Sequence, residues 1–337
     1  MKLYLKKIKK KLKEFSNNYK NIQFYNDNEK VVLLDLNSKS KVRTYLYIIH
    51  FIKQNYQEPI IIPFSIFKSI ILAKYINKNN NIFFANPFKK YQYVQLLSTT
   101  KSKGLHITYN YKKVYSTATY IPNALPYIMH PELYDFSNLG VLNKKIGILM
   151  SGNFEKKIYN SDVIKSNFNF NNRWEIYNKV IKNKNVVTIT GKALIENLEF
   201  NIYKDKLVIM QWHSGAIPIN KWCHYLSSAN FLFCAPGMTM PLCHNVIEAM
   251  SLGVIPILNY NNWLNPSLTD RLNCFVYNSL DEIDDVIQKA LFLSGTEILE
   301  MKSQVIKFYD LYYKNYSFEN STNNELIVVN ENIKDLV

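Results

Sequence analysis

Short, almost wholly apolar runs recur along the chain, separated by stretches in which apolar positions return every three or four residues. Val31–Leu36, Pro59–Pro63 and Asn81–Ala85 have the first character and predict buried strands, whereas Lys39–Gln54 and Phe64–Asn77 have the second and predict helices. The segment Tyr91–Tyr120 is aromatic and polar with weak periodicity, and yields only a strand near Leu105–Tyr109. Pro122, Pro126 and Pro131 then forbid a helix and mark a crossing between domains. From Lys145 the alternation restarts. Ile146–Met150, Val186–Thr190, Leu207–Gln211, Phe231–Ala235, Val254–Leu258 and Cys274–Tyr277 read as strands. Helices are expected over Arg173–Lys182, Asn220–Ser228, Cys243–Leu252, Ser279–Leu293 and Thr296–Tyr316, with the stretch before Asn172 as a long loop and Ser279 and Glu282 forming a capping box. Strands joined by helices at this spacing imply parallel βαβ units.

The most informative stretch is 229–263. A buried strand ends at Ala235, Pro236-Gly237 breaks it, a helix runs from Cys243 to a stop at Gly253, and a second strand follows. The loop and the helix start therefore lie at the carboxyl edge of a parallel sheet, where open α/β sheets bind ligands. A first helical turn carries unpaired N–H groups and partial positive charge, which suit a phosphate. His244 and Asn245 stand there, with Glu248 one turn further in. Strand ends at Ser151-Gly152-Asn153, Gly191-Lys192 and Trp212-His213-Ser214-Gly215 fall on the same expected edge.

The Pro-Gly loop, the Cys-His-Asn helix start and the Glu-Ala-x-x-x-Gly turn together resemble the nucleotide-sugar-binding half of GT-B glycosyltransferases, most closely the exostosin-type and fucosyltransferase-type branches. The resemblance covers Lys145–Leu293. It implies an α/β fold of two Rossmann-like doubly wound domains facing a cleft, and transfer of a sugar from a nucleotide-sugar co-substrate to a glycan or lipid-linked acceptor. The corresponding division is a basic segment at 1–15, an acceptor domain at 16–130, a nucleotide-sugar domain at 131–295, a helix at 296–316 returning across the first domain, and a polar tail at 317–337. By resemblance Glu248 holds the donor ribose and Arg173 the diphosphate. Many retaining members carry a second Glu eight residues before the first, and Met240 stands there in this chain.

Composition narrows the alternatives. A chain of 337 residues with 47% hydrophobic content is long enough for two cores. Its net charge of +15 is almost entirely lysine, since arginine occurs only at 43, 173 and 271. Bidentate base and phosphate readers need arginine, which argues against nucleic acid as a partner. Cys223, Cys234, Cys243 and Cys274 form no C-x-x-C pair, the pattern of a reduced cytoplasmic chain. No run of the sequence reads as a membrane span. Residues 1–15 set Leu5, Ile8, Leu12 and Phe15 on one helical stripe among lysines, which fits either an anionic membrane surface or a solvated basic helix.

Glycosyl transfer needs a nucleotide site, positive charge on the departing diphosphate and, in inverting enzymes, a base. The donor candidates are Ser151, Gly152, Asn153, Arg173, Gly191, Lys192, His213, Pro236, Gly237, Met238, Thr239, His244, Asn245, Glu248 and Arg271. For the base, Asp35, His130 and Asp135 qualify by position. No metal is expected, because there is no Asp-x-Asp triplet, no His-x-x-x-His and no paired-cysteine spacing. The rival reading is a non-catalytic α/β module in which the same mouth holds a nucleotide or a partner.

Overall fold

The computed structural model describes residues 13, 16, 22–36, 45, 48–49, 52–53, 55–72, 76, 81–98, 105–108, 119–121, 145–211, 217–218, 221–238, 241–264, 266–314 and 325–328. Two compact units result, one from Met1–Ile121 with Ser317–Val328 and one from Pro122–Tyr316 with Val329–Val337. Each is built on a parallel sheet.

In the first unit β1 (Phe24–Tyr25), β2 (Val31–Asp35), β3 (Ile60–Ile62), β4 (Ile82–Ala85), β5 (Tyr93–Ser98), β6 (Leu105–Thr108) and β7 (Thr119–Ile121) are joined by a strand from the chain's far end, Glu325–Val328. The order is β1-β4-β3-β2-β5-β6, then Glu325–Val328, then β7. The stretch 317–337, which reads as a polar tail, thus supplies an interior strand, with Leu326 paired to both Ile107 and Thr119. Between β2 and β3, Tyr45, Ile48, Ile49 and Ile52 are helical and buried, the spacing of one helix face. Helix α1 (Ile66–Leu72) follows β3.

The second unit contains β8 (Ile146–Gly152), β9 (Val186–Ile189), β10 (Tyr203–Gln211), β11 (Ala229–Phe233), β12 (Ile255–Leu258) and β13 (Phe275–Val276), in the order β13-β12-β11-β8-β10-β9. Its central strands are apolar at consecutive positions because both faces are covered: Ile146, Ile148, Leu149 and Met150 are fully buried, as are Leu207, Val208 and Ile209. Gly147 interrupts the run for a steric reason. A Cβ there would lie 2.6 Å from the carbonyl oxygen of Lys204 and 2.6 Å from Leu291.

Several local expectations are corrected. The loop before Asn172 contains two short helices, α2 (Lys156–Tyr159) and α3 (Val163–Phe168). Gly191 and Lys192 do not form an open turn. They begin α5 (Gly191–Asn197), whose N-cap Thr190 accepts from the N–H of Ala193. The capping box expected at Ser279 is absent, because the Glu282 carboxylate accepts from Asn278 and the helix, α8, starts at Ile283 and ends at Leu291. A capping box does form one helix later, between Ser294 and Glu297 at the start of α9 (Gly295–Tyr309). Helix α9 packs on Gly253, through Ile306 and Lys302, and on β12, within the second unit. Among the described residues no helix is long and apolar enough to cross a membrane.

Candidate functional site

Strand order locates the site. From β8 the chain moves towards β9 and β10, whereas from β11 it moves the opposite way, towards β12 and β13, and β8 and β11 are neighbours. Their carboxyl ends therefore flank a topological switch point, the place where connections diverge and leave a crevice. β8 ends at Gly152, whose φ of +154° disfavours any side chain. β11 leads into Cys234, Ala235 and Pro236, all buried.

Arg173 fills the gap between those two strand ends. It opens α4 (Arg173–Val180), a helix held by a full capping box in which Asn172 accepts from the N–H of Glu175 and the Glu175 carboxylate accepts from the N–H of Asn172. Arg173 as a residue is 9% exposed. Nε donates to the carbonyl oxygen of Pro236 at 2.9 Å, Nη2 approaches Cys243 Sγ at 3.5 Å, and the Tyr159 ring centroid lies 4.4 Å from the guanidinium carbon. A Cβ on Gly152 would stand 3.7 Å from Nη1. Among the described residues no carboxylate pairs with Arg173, so a nearly buried cation faces only a carbonyl, a thiol and a ring. Burial of a charge without a counter-ion is costly, and an anion arriving there would remove that cost.

The helix expected over Cys243–Leu252 forms as α7 (His244–Ser251). Its N-cap, Cys243, has extended backbone angles and makes no side-chain capping bond, so the first turn still presents donors towards the mouth. Glu248 is buried on this helix at 4% exposure. Its Oε2 accepts from the Trp222 indole N–H at 3.1 Å and its Oε1 meets His244 Nδ1 at 3.1 Å. Trp222 comes from α6 (Trp222–Ser227). The Glu248 carboxylate is thus already engaged by a neutral donor and an imidazole. Burial, followed by the Glu248 charge, pushes the Cys223 thiol up to about 12.

A layer of buried polar groups lies beneath the mouth. The hydroxyls of Tyr260 and Tyr277 and Oδ1 of Asn259 and Asn245 are inaccessible and have no hydrogen-bond partner among the described residues. Burial raises both tyrosines well above their ordinary value. Cys234 and Cys243 add to the effect on Tyr260, and Arg173 opposes it. Gly237 closes the loop by donating to the Pro241 carbonyl, leaving Met238 45% exposed at the rim.

The site thus brings together Gly152, Arg173, Pro236, Gly237, His244, Asn245 and Glu248. Ser151 lies within β8, paired in register with Met210, and Asn153 accepts from the N–H of Glu155 just beyond it. Lys192 is a surface cation, its side chain 84% exposed and paired with Glu196 one turn on. Arg271 precedes β13, at the amino end of the strand and so on the opposite edge of the parallel sheet. There its guanidinium covers the Phe275 ring beside a groove of about 490 Å³ lined also by Leu272, Glu297 and Glu300. Asp35, in the first unit, ends β2 opposite Ser98 of β5, where that sheet's connections diverge, and Oδ1 is held by the buried Lys68 Nζ at 3.3 Å. His130, Asp135, His213, Thr239 and all of 1–15 except Lys13 lie outside the described residues. Sequence reasoning missed Tyr159, Trp222, Cys243 and Tyr260 as parts of the mouth. Only Cys243 carried a signal, its position at the expected helix start.

No family model matches the sequence, and no curated protein matches it. Solved structures resemble it at low identity. Anabaena Alr3699/HepE in complex with UDP is 9% identical, with 85% of this chain and 96% of that one covered and a TM-score of 0.43. A glycosyltransferase from Rickettsia africae ESF-5 is 10% identical, with 88% and 96% covered and a TM-score of 0.44. MurG from Acinetobacter baumannii is 11% identical, with 85% and 100% covered and a TM-score of 0.40. What the mouth binds is therefore read from its own residues. By its own strand order the chain is an α/β protein of two Rossmann-like units, each carrying its candidate residues where the connections of a parallel sheet diverge.

Proposed function

We propose that the chain is a GT-B glycosyltransferase that moves a sugar from a nucleotide-sugar donor to a glycan or lipid-linked acceptor. The observation that carries this reading is Arg173: a buried guanidinium without a carboxylate partner among the described residues, set at a switch point against the first turn of α7. A departing nucleoside diphosphate supplies the missing negative charge. Charge grows on its bridging oxygen as the glycosidic bond breaks, so a fixed cation and oriented N–H groups favour the transition state more than the ground state. His244 borders this place with its ring oriented by Glu248 through Nδ1. Asp35 is the proposed base, positioned by Lys68, with His130 and Asp135 as the other candidates.

The diphosphate is neutralised by Arg173 and the helix terminus, and no metal is required, so EDTA leaves turnover unchanged. The chain acts in the cytoplasm, and residues 1–15 attach it to an anionic membrane surface. Liposome flotation of the intact chain against one lacking 1–15 tests this, and equal flotation removes the membrane role. Nucleic acid is not a partner.

The test of the main reading is a donor panel of UDP, GDP, CMP and their sugars, headed by UDP and UDP-glucose, the compounds bound in Anabaena Alr3699/HepE structures. One nucleotide series raises the melting temperature, and its sugar is slowly hydrolysed. A second reading, a non-catalytic binding module, is favoured by the engagement of both Glu248 oxygens within the protein. Binding of a nucleotide with no hydrolysis or transfer selects the module, and no binding at all ends both readings.

A further inference from the structure

Three of the four cysteines are buried, and Cys243 alone is partly exposed. Burial is the largest cause pushing up the thiols of Cys223, Cys234 and Cys274. Cys243 stands at the N-cap of α7, and Arg173 Nη2 points at its sulfur from 3.5 Å. A guanidinium and an uncapped helical turn therefore converge on the one cysteine that is not buried. Both are donors that suit an anionic group held beside it.

We propose that Cys243 is a modification site for small anionic disulfides and that the adduct closes the mouth. The Cys243 thiolate attacks one sulfur of a disulfide R–S–S–R, the reagent's S–S bond breaks, and a Cys243–S–S–R bond forms. The other half leaves as RS⁻ and takes a proton from solvent. The disulfide is the oxidant, and a free thiol reverses the step. Carboxylates on R are drawn to Arg173 and to the helix terminus. The adduct parts Sγ from Nη2 and occupies the space before His244. Its effect on turnover rests on the function proposed above, whereas the reaction at sulfur does not.

The test treats the full chain with glutathione disulfide, which carries carboxylates, or with cystamine, a cationic disulfide, and follows adducts by intact mass and peptide mapping. The expected result is one adduct, on Cys243, formed roughly 5-fold faster with glutathione disulfide, as an added charge contact near the surface would give. Dithiothreitol reverses it, pyrophosphate slows it and Cys243→Ser removes it. In Arg173→Gln the preference for the anionic reagent disappears. Should that variant fail to fold, the comparison of reagents on the unsubstituted chain decides alone. An adduct forming first on another cysteine, no adduct on the folded protein, or equal rates with both reagents overturns the proposal. Labelling of Cys243 in a chain that binds no nucleotide would leave this proposal standing and remove the glycosyltransferase reading. An unreactive Cys243 in a chain that binds donors would do the reverse.

Discussion

Replacing Arg173 with methionine separates a residue kept for binding from one kept for stability. The substitution keeps most of the side chain's length and apolar contact with Tyr159 but removes the charge. On the cost side, the Pro236 carbonyl loses its donor, worth about 1–3 kcal/mol when a buried acceptor is left unpaired, and the guanidinium–ring attraction of about 0.5–2 kcal/mol is lost. Against this, a cation at 9% exposure with no carboxylate among the described residues no longer has to be desolvated, a relief of several kcal/mol. The terms nearly cancel, so Arg173→Met changes unfolding free energy by less than about 1 kcal/mol. Donor affinity falls far more. Loss of one charge-assisted contact of about 1.5–3 kcal/mol weakens nucleoside diphosphate binding roughly 10- to 150-fold. Urea denaturation and isothermal titration calorimetry on the same preparation measure both quantities. A variant destabilised by about 3 kcal/mol or more with unchanged affinity would show that Arg173 is structural and refute the reasoning.

Three other outcomes are expected. Gly147→Ala forces a Cβ to within 2.6 Å of a backbone carbonyl and should cost about 1–3 kcal/mol or more in urea unfolding, and a change under about 0.5 kcal/mol would contradict the close approach. Trp222→Phe withdraws the indole donor from the buried Glu248 carboxylate and should lose about 1.5–3 kcal/mol, less when combined with Glu248→Gln, as a double-mutant cycle would reveal. For Asp284, desolvation acts upward, but hydrogen bonds from Lys179 and Asn183 outweigh it and hold the carboxyl below its ordinary value. Its folded pKa being the lower one, the stabilisation is present above about pH 3.9 and is lost as pH falls through the folded value. Asp284→Asn should flatten the acid limb of stability, and an unaltered limb would count against the pairing.

Much of the second unit was legible because its strands are buried on both faces, which writes them as continuous apolar runs such as Ile146–Met150 and Phe231–Ala235. Strands with an exposed face were harder. Tyr93 and Val94 in β5 are 50% and 40% exposed, and no run announces them. Glu325–Val328 follows a polar stretch and becomes a strand only because β6 and β7 leave a place between them. Capping went both ways: Ser279 and Glu282 have the right spacing, yet Asn278 takes the carboxylate, while Ser294 and Glu297 form the box.

By itself the sequence determined the parallel βαβ character and the strand–loop–helix at 229–253, since apolar period and the Pro-Gly break are local properties. It also marked Arg173 as a helix start and, by resemblance, as the first choice for the diphosphate, with Lys192 and Arg271 next. Only the tertiary structure showed how differently the three are placed. Arg173 and Pro236 stand 63 residues apart in the chain and meet because β8 and β11 are neighbours in the sheet. Strand order follows from how whole elements pack and cross over, a long-range choice that no local pattern encodes, and it is that order which turns one buried guanidinium towards the mouth and leaves the other cations at the surface or on the opposite edge.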